Sequence, residues 1–134
     1  MTDSAVRRAR ATVDRYLELL AAADVAGVID LFSPDGTVVS PLYGTLPAER
    51  FYPKLVADTQ RSEIVQEDMF VSVHDPRRVA VQFRYGWTMS DGTKTSFDCV
   101  DAIELDDEGR IAQLRIIYDT HPLRAAWAAI RSTP

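Results

Sequence analysis

The stretch from Phe97 to Asp119, FDCVDAIELDDEGRIAQLRIIYD, alternates, turns and alternates again, a pattern that suits a hairpin of two strands and little else. Phe97, Cys99, Asp101, Ile103 and Leu105 share one face, with Asp98, Val100, Ala102 and Glu104 on the other. Asp101 therefore falls in the middle of an apolar row. The acidic turn Asp106, Asp107, Glu108, Gly109 reverses the chain, and the second strand sets Gln113, Arg115, Ile117 and Asp119 against Leu114, Ile116 and Tyr118. An isolated carboxylate on a buried face must find a partner or stay protonated, and the protonated acid is a hydrogen-bond donor that the ion is not. Asp101 is the first functional candidate. The alternative is that a strand end or bulge lets it reach water or cap a nearby backbone group.

Three further β segments, Thr37–Val39, Glu63–Val73 and Arg78–Met89, and an N-terminal extension of the hairpin strand to Thr93 complete the strand signals, punctuated by HDPR and SDGT turns. Four long strands in succession predict a curved antiparallel meander. Val79, Val81, Phe83, Tyr85, Trp87 and Met89 give the strand from Arg78 one strongly apolar face, wide enough to line a cavity or simply to pack against helices. Apolar spacing predicts a first helix over Ala5–Ala22 with Tyr16 on its buried stripe, capped by Asp3 or Ser4. Shorter helices are predicted at Val25–Phe32 behind Asp24, ended by the turn Ser33, Pro34, Asp35, Gly36, and at Pro47–Thr59, where Pro53 would kink or divide the helix. Pro122 opens a last helix through Ile130. Helices first and strands afterwards make one α+β domain over residues 1–134, with a sheet curving around the first helix.

At 134 residues there is room for a core and a ligand cavity but not for a second module. A formal net charge of −5 with scattered basic residues argues against nucleic acid or an anionic membrane as partner. The single cysteine cannot form an internal disulfide, and MTDSAVRRAR lacks a signal-peptide core, so a cytoplasmic protein without membrane segments is expected. No phosphate loop, dinucleotide fingerprint or zinc ligand set is present, so neither metal nor cofactor is expected.

DRYLELLAAAD at Asp14–Asp24, GTVVSP at Gly36–Pro41, RFY at Arg50–Tyr52 and DCVDAIELDDEGRI at Asp98–Ile111, in that order and spacing, resemble the ketosteroid isomerases within the NTF2-like, SnoaL-like superfamily. The resemblance covers nearly the whole chain and implies a cone-shaped α+β fold. It implies that Tyr16 and a protonated Asp101 donate hydrogen bonds to a substrate oxyanion, with Tyr52 supporting Tyr16. It also marks a departure: the family places an aspartate base before the proline that ends the first strand, and here Ser40 precedes Pro41. Asp119, at the open end of the last strand on the face of Ile117, is the candidate replacement. Its competing role is a helix-start cap before Pro122. SnoaL-like cyclases are similar in placing an acid near there.

Ser40, Val81, Phe83, Tyr85, Trp87, Phe97, Cys99 and Ile117 are the expected substrate-binding wall. Glu63 and Glu67 are further carboxylates in a region that epoxide-opening relatives use, while His74 and His121 suit the surface and Cys99 suits a buried thiol. The expected activity is a cofactor-independent isomerase or cyclase for an apolar oxygenated small molecule of polyketide, terpenoid or steroid-like kind. The alternatives are an epoxide hydrolase or epoxide-opening cyclase, and a binding protein without chemistry. Leu114, Ile116 and Tyr118 would leave the last strand apolar on both sides, so a homodimer through that outer face is expected as well.

Overall fold

The computed structural model describes residues 3–132. Helix α1 (Asp3–Ala21) buries Ala9, Val13, Tyr16, Leu17 and Leu20 along one stripe, as their spacing requires. Asp3 and Ser4 lie within its first turn and not before it. The chain then passes through Ala23 in the left-handed region, at φ 56°. Asp24 caps α2 (Val25–Asp30) by accepting from the Gly27 N–H at 2.9 Å.

Strand β1 (Phe32–Ser40) is longer than expected and absorbs the Ser33–Gly36 turn as an irregularity, its register slipping between Phe32 and Thr37. The short β2 (Gly44–Pro47) folds back antiparallel on it, an element without a sequence signal. Helix α3 (Ala48–Ala57) runs through Pro53 undivided and buries Phe51 and Tyr52. The meander follows: β3 (Thr59–Val71), β4 (Arg78–Met89), β5 (Lys94–Leu105) and β6 (Ile111–Ile117). A 3-10 turn over His121–Leu123 leads into α4 (Arg124–Arg131).

The sheet order is β2-β1-β6-β5-β4-β3, and the β1–β6 pair is its parallel one. The sheet is open and curves over α1 and α3, with two register shifts in β3 adding to the bend. On its concave side Val81 faces Asp101, Phe83 faces Cys99 and Tyr85 faces Phe97 across β4 and β5.

The one reversal lies in β6. Glu104 pairs with Gln113 but Leu105 pairs with Ile111, so Ala112 is an extra residue and the strand changes face there. Leu114, Ile116 and Tyr118 consequently point inward, and Ile117 outward, half exposed. The apolar row that motivated a dimer is therefore inside the cone. Among the described residues no helix is long and apolar enough to cross a membrane.

Candidate active site

Three elements converge below the concave sheet: α1 brings Tyr16, α3 brings Tyr52 and β5 brings Asp101, each about 1% exposed. The tyrosine hydroxyls lie 2.7 Å apart. Phe32 holds both rings, edge-on to Tyr16 at 6.5 Å and tilted against Tyr52 at 5.6 Å, so the pair is fixed from behind by aromatic packing. Burial raises both phenols well above the usual tyrosine value, and the nearby Asp101 carboxyl adds to the rise.

Asp101 is pushed up to about 7 by burial, opposed only by a hydrogen bond that the Cys99 thiol donates to Oδ1 at 3.4 Å. No Lys, Arg or His lines the cavity in front of it, so no cation there favours the ionised form. At neutral pH the acid is substantially protonated.

That cavity holds about 480 Å³ of empty space, counting its open mouth. Tyr16, Ser40, Phe83, Tyr85, Trp87, Phe97, Cys99 and Asp101 line it together. Asp101 is the one carboxyl among the lining residues. Several polar tips of the aromatic wall are already engaged: Tyr85 with Ser62 Oγ at 2.7 Å, and Trp87 Nε1 donating to Thr59 Oγ1 at 2.8 Å. The wall thus presents ring surface, and Asp101 stands out as the polar group.

Ser40, nine-tenths buried at the end of β1, accepts from the N–H groups of Leu42 and Tyr43 at 3.2 and 3.1 Å. Its oxygen holds the Pro41 turn, and its own proton is left to donate.

The remaining candidates lie elsewhere. Tyr52 and Val81 are buried behind the wall. Ile117 and Asp119 are outside the cavity, because the Ala112 bulge turns them to solvent. Asp119 Oδ1 accepts from the His121 N–H at 3.0 Å, a turn contact just ahead of the 3-10 segment, whose N-cap is Thr120. Glu63 is exposed and paired with Arg61 at 2.8 Å, and Glu67, His74 and His121 are exposed too. Among the described residues no three His, Cys, Asp or Glu side chains gather to hold a metal ion.

Tyr43 and Tyr118 are wall residues that sequence reasoning missed. Tyr118 stacks on Phe97 with ring centroids 4.2 Å apart. Tyr43 donates to Asp58 Oδ2 at 2.5 Å, and Arg131 of α4 pairs with the same oxygen while lying over the Tyr43 ring at 5.2 Å. The last helix is thereby tied to the cavity wall. Tyr43 sits in a segment without periodicity, so no pattern announced it; the parity of Tyr118 required knowledge of the bulge.

Comparison with known proteins gives a family and a fold. Residues 13–114 match the model of the SnoaL-like domain. An NTF2-like protein of unknown function from Exiguobacterium sp. 255-15 is 20% identical, with a TM-score of 0.70 over 81% of this chain and 98% of that one. The Δ5-3-ketosteroid isomerase from Mycobacterium sp. is 18% identical, with a TM-score of 0.72 over 84% and 94%. The epoxide hydrolase/cyclase-like enzyme SalBIII, with a role in pyran ring formation in the polyether salinomycin, is 20% identical, with a TM-score of 0.72 over 89% and 95%. At these identities the likeness to the three structures is one of fold, the NTF2-like cone.

Proposed function

The chain belongs to the SnoaL-like domain family, and on that premise we propose that it is a small-molecule isomerase or cyclase working by proton transfer on an apolar, oxygenated substrate. The observation that carries this reading is Asp101, a buried acid that burial holds well above the usual carboxylate range, at the wall of an apolar cavity beside the hydrogen-bonded Tyr16–Tyr52 pair. Asp101 and Tyr16 would donate to the substrate oxygen on which negative charge grows, with Tyr52 orienting Tyr16. Donors held in place and shielded from water reorganise little as that charge develops, so they stabilise the transition state more than the ground state. Phe83, Trp87 and Phe97 would bind the ring system by burial of apolar surface. The substrate class is a polyketide, terpenoid or steroid-like molecule carrying a carbonyl or ether oxygen. Asp119 has no part in this assignment, since it faces solvent.

Ser40 favours a second reading, a binding protein that keeps the cone without the chemistry, because a neutral hydroxyl stands where the ketosteroid isomerases that the sequence resembles place their base. Titration with 2-naphthol, a mimic of an enolate oxygen, tests the donor pair by fluorescence. Binding to the native protein that weakens about tenfold in Tyr16→Phe and in Asp101→Leu is the expected result, each variant losing one buried hydrogen-bond donor. Equal binding in all three overturns the assignment. Tight binding of carbonyl and epoxide substrates with no turnover selects the binding protein.

A further inference from the structure

The two oxygens of Asp101 are not equivalent. Oδ1 accepts from the Cys99 thiol at 3.4 Å, with both side chains at 2% exposure or less. Oδ2 has no hydrogen-bond partner among the described residues, and Asp101 is one of the residues that line the cavity. Sulfur donates weakly and accepts more weakly still, so a proton on Oδ1 would face a poor acceptor and displace the thiol hydrogen.

We propose that Cys99 is a positioning residue for Asp101: its S–H occupies Oδ1 and thereby keeps the acid proton on Oδ2, the oxygen that meets whatever enters the cavity. Cys99 lies two residues before Asp101 on the same face of β5, and Phe83 packs opposite it on β4, so the thiol has a fixed direction. The groups facing Asp101 from the surrounding elements are the hydroxyls of Tyr16, Tyr52, Tyr85 and Tyr118 and this thiol, none of them charged at neutral pH. Of these, Cys99 alone makes a direct hydrogen bond to the carboxyl among the described residues.

The inference rests on the reading of Asp101 as a donor, and its test separates the two. The chain has a single cysteine, so its S–H stretch is one isolated infrared band. In the native protein that band should lie at the hydrogen-bonded position, move as pH crosses the Asp101 midpoint, and lose that movement in Asp101→Asn. A free-thiol band indifferent to pH overturns the inference without any variant of Cys99.

The protonated-carboxyl stretch, assigned by its absence in Asp101→Asn, supplies the second readout. Its midpoint should rise by roughly one pH unit in Cys99→Ala, where the ionised form loses a donor, and return to or below the native value in Cys99→Ser. An unmoved midpoint in Cys99→Ala also overturns it. If both bands behave as expected and 2-naphthol does not bind, the positioning role stands and the oxyanion reading falls. If 2-naphthol binds through Tyr16 and neither band responds, the reverse holds.

Discussion

Replacing Asp101 with asparagine removes a carboxyl that burial raises from 3.8 to about 7. Between those two values the folded chain keeps a proton that the unfolded chain has already released. Stability therefore falls as pH rises through that window, and it levels off above the folded value. At about 1.4 kcal/mol per pKa unit the fall is on the order of 4 kcal/mol, a large share of what a domain of this size commonly has. Asparagine does not titrate, and its carbonyl oxygen can still accept from Cys99. Urea unfolding of both proteins from about pH 4 to about pH 8 yields the difference in unfolding free energy, in which the other titrating groups largely cancel. The variant should gain on the native protein by several kcal/mol up to about pH 7.5 and run parallel above it. A difference constant to within about 1 kcal/mol would mean that Asp101 titrates normally in the folded state, and the account of the site as a neutral-acid cavity would be wrong.

Ser40→Ala leaves the Leu42 and Tyr43 N–H groups without their acceptor in a half-buried turn, and should cost about 1–2 kcal/mol in urea unfolding. Asp119→Asn keeps an acceptor for the His121 N–H and should leave 2-naphthol affinity unchanged by fluorescence titration. Arg131→Ala removes the ion pair to Asp58 and the cation–π contacts to Tyr43 and Trp127, so amide exchange in α4 should accelerate while the sheet stays protected.

What the sequence disclosed follows from period and parity. The alternation in β4 and β5 has one apolar side, so a strand and its buried face could be assigned together, and Asp101 was visible because it broke an apolar row. Tyr16 was legible through helical spacing in α1. Gly44–Pro47 was not, because four residues hemmed in by prolines carry no period and β2 owes its existence to pairing with β1. The slip within β1 is of the same kind: Pro34 and Gly36 read as a turn, yet the parallel neighbour β6 pairs with Phe32 before them and Thr37 after them, so the strand is bridged across the irregularity. In β6 the pattern was ambiguous, since Leu114, Ile116 and Ile117 make both faces apolar in part, and only tertiary pairing decides which is inside.

That decision has a chemical consequence. Without the bulge at Ala112, the parity of Ile111 would carry through to Asp119 and set a second carboxylate toward the cavity; with it, Tyr118 takes the inward place. The cavity wall then carries one carboxyl, several phenols, a thiol and a serine hydroxyl. Opening an epoxide by water with two carboxylates requires one to protonate the leaving oxygen and another to activate the water, and the second is missing from this wall. A single neutral acid suits reactions in which the substrate supplies its own nucleophile or returns its own proton. An apolar epoxide bearing an internal hydroxyl, offered in oxygen-18 water, separates the cases by mass spectrometry. Cyclised product without label, lost in Asp101→Asn, is the expected outcome; labelled diol whose formation depends on Asp101 would require a water-activating base, and the one-carboxyl reading of the site would have to be abandoned.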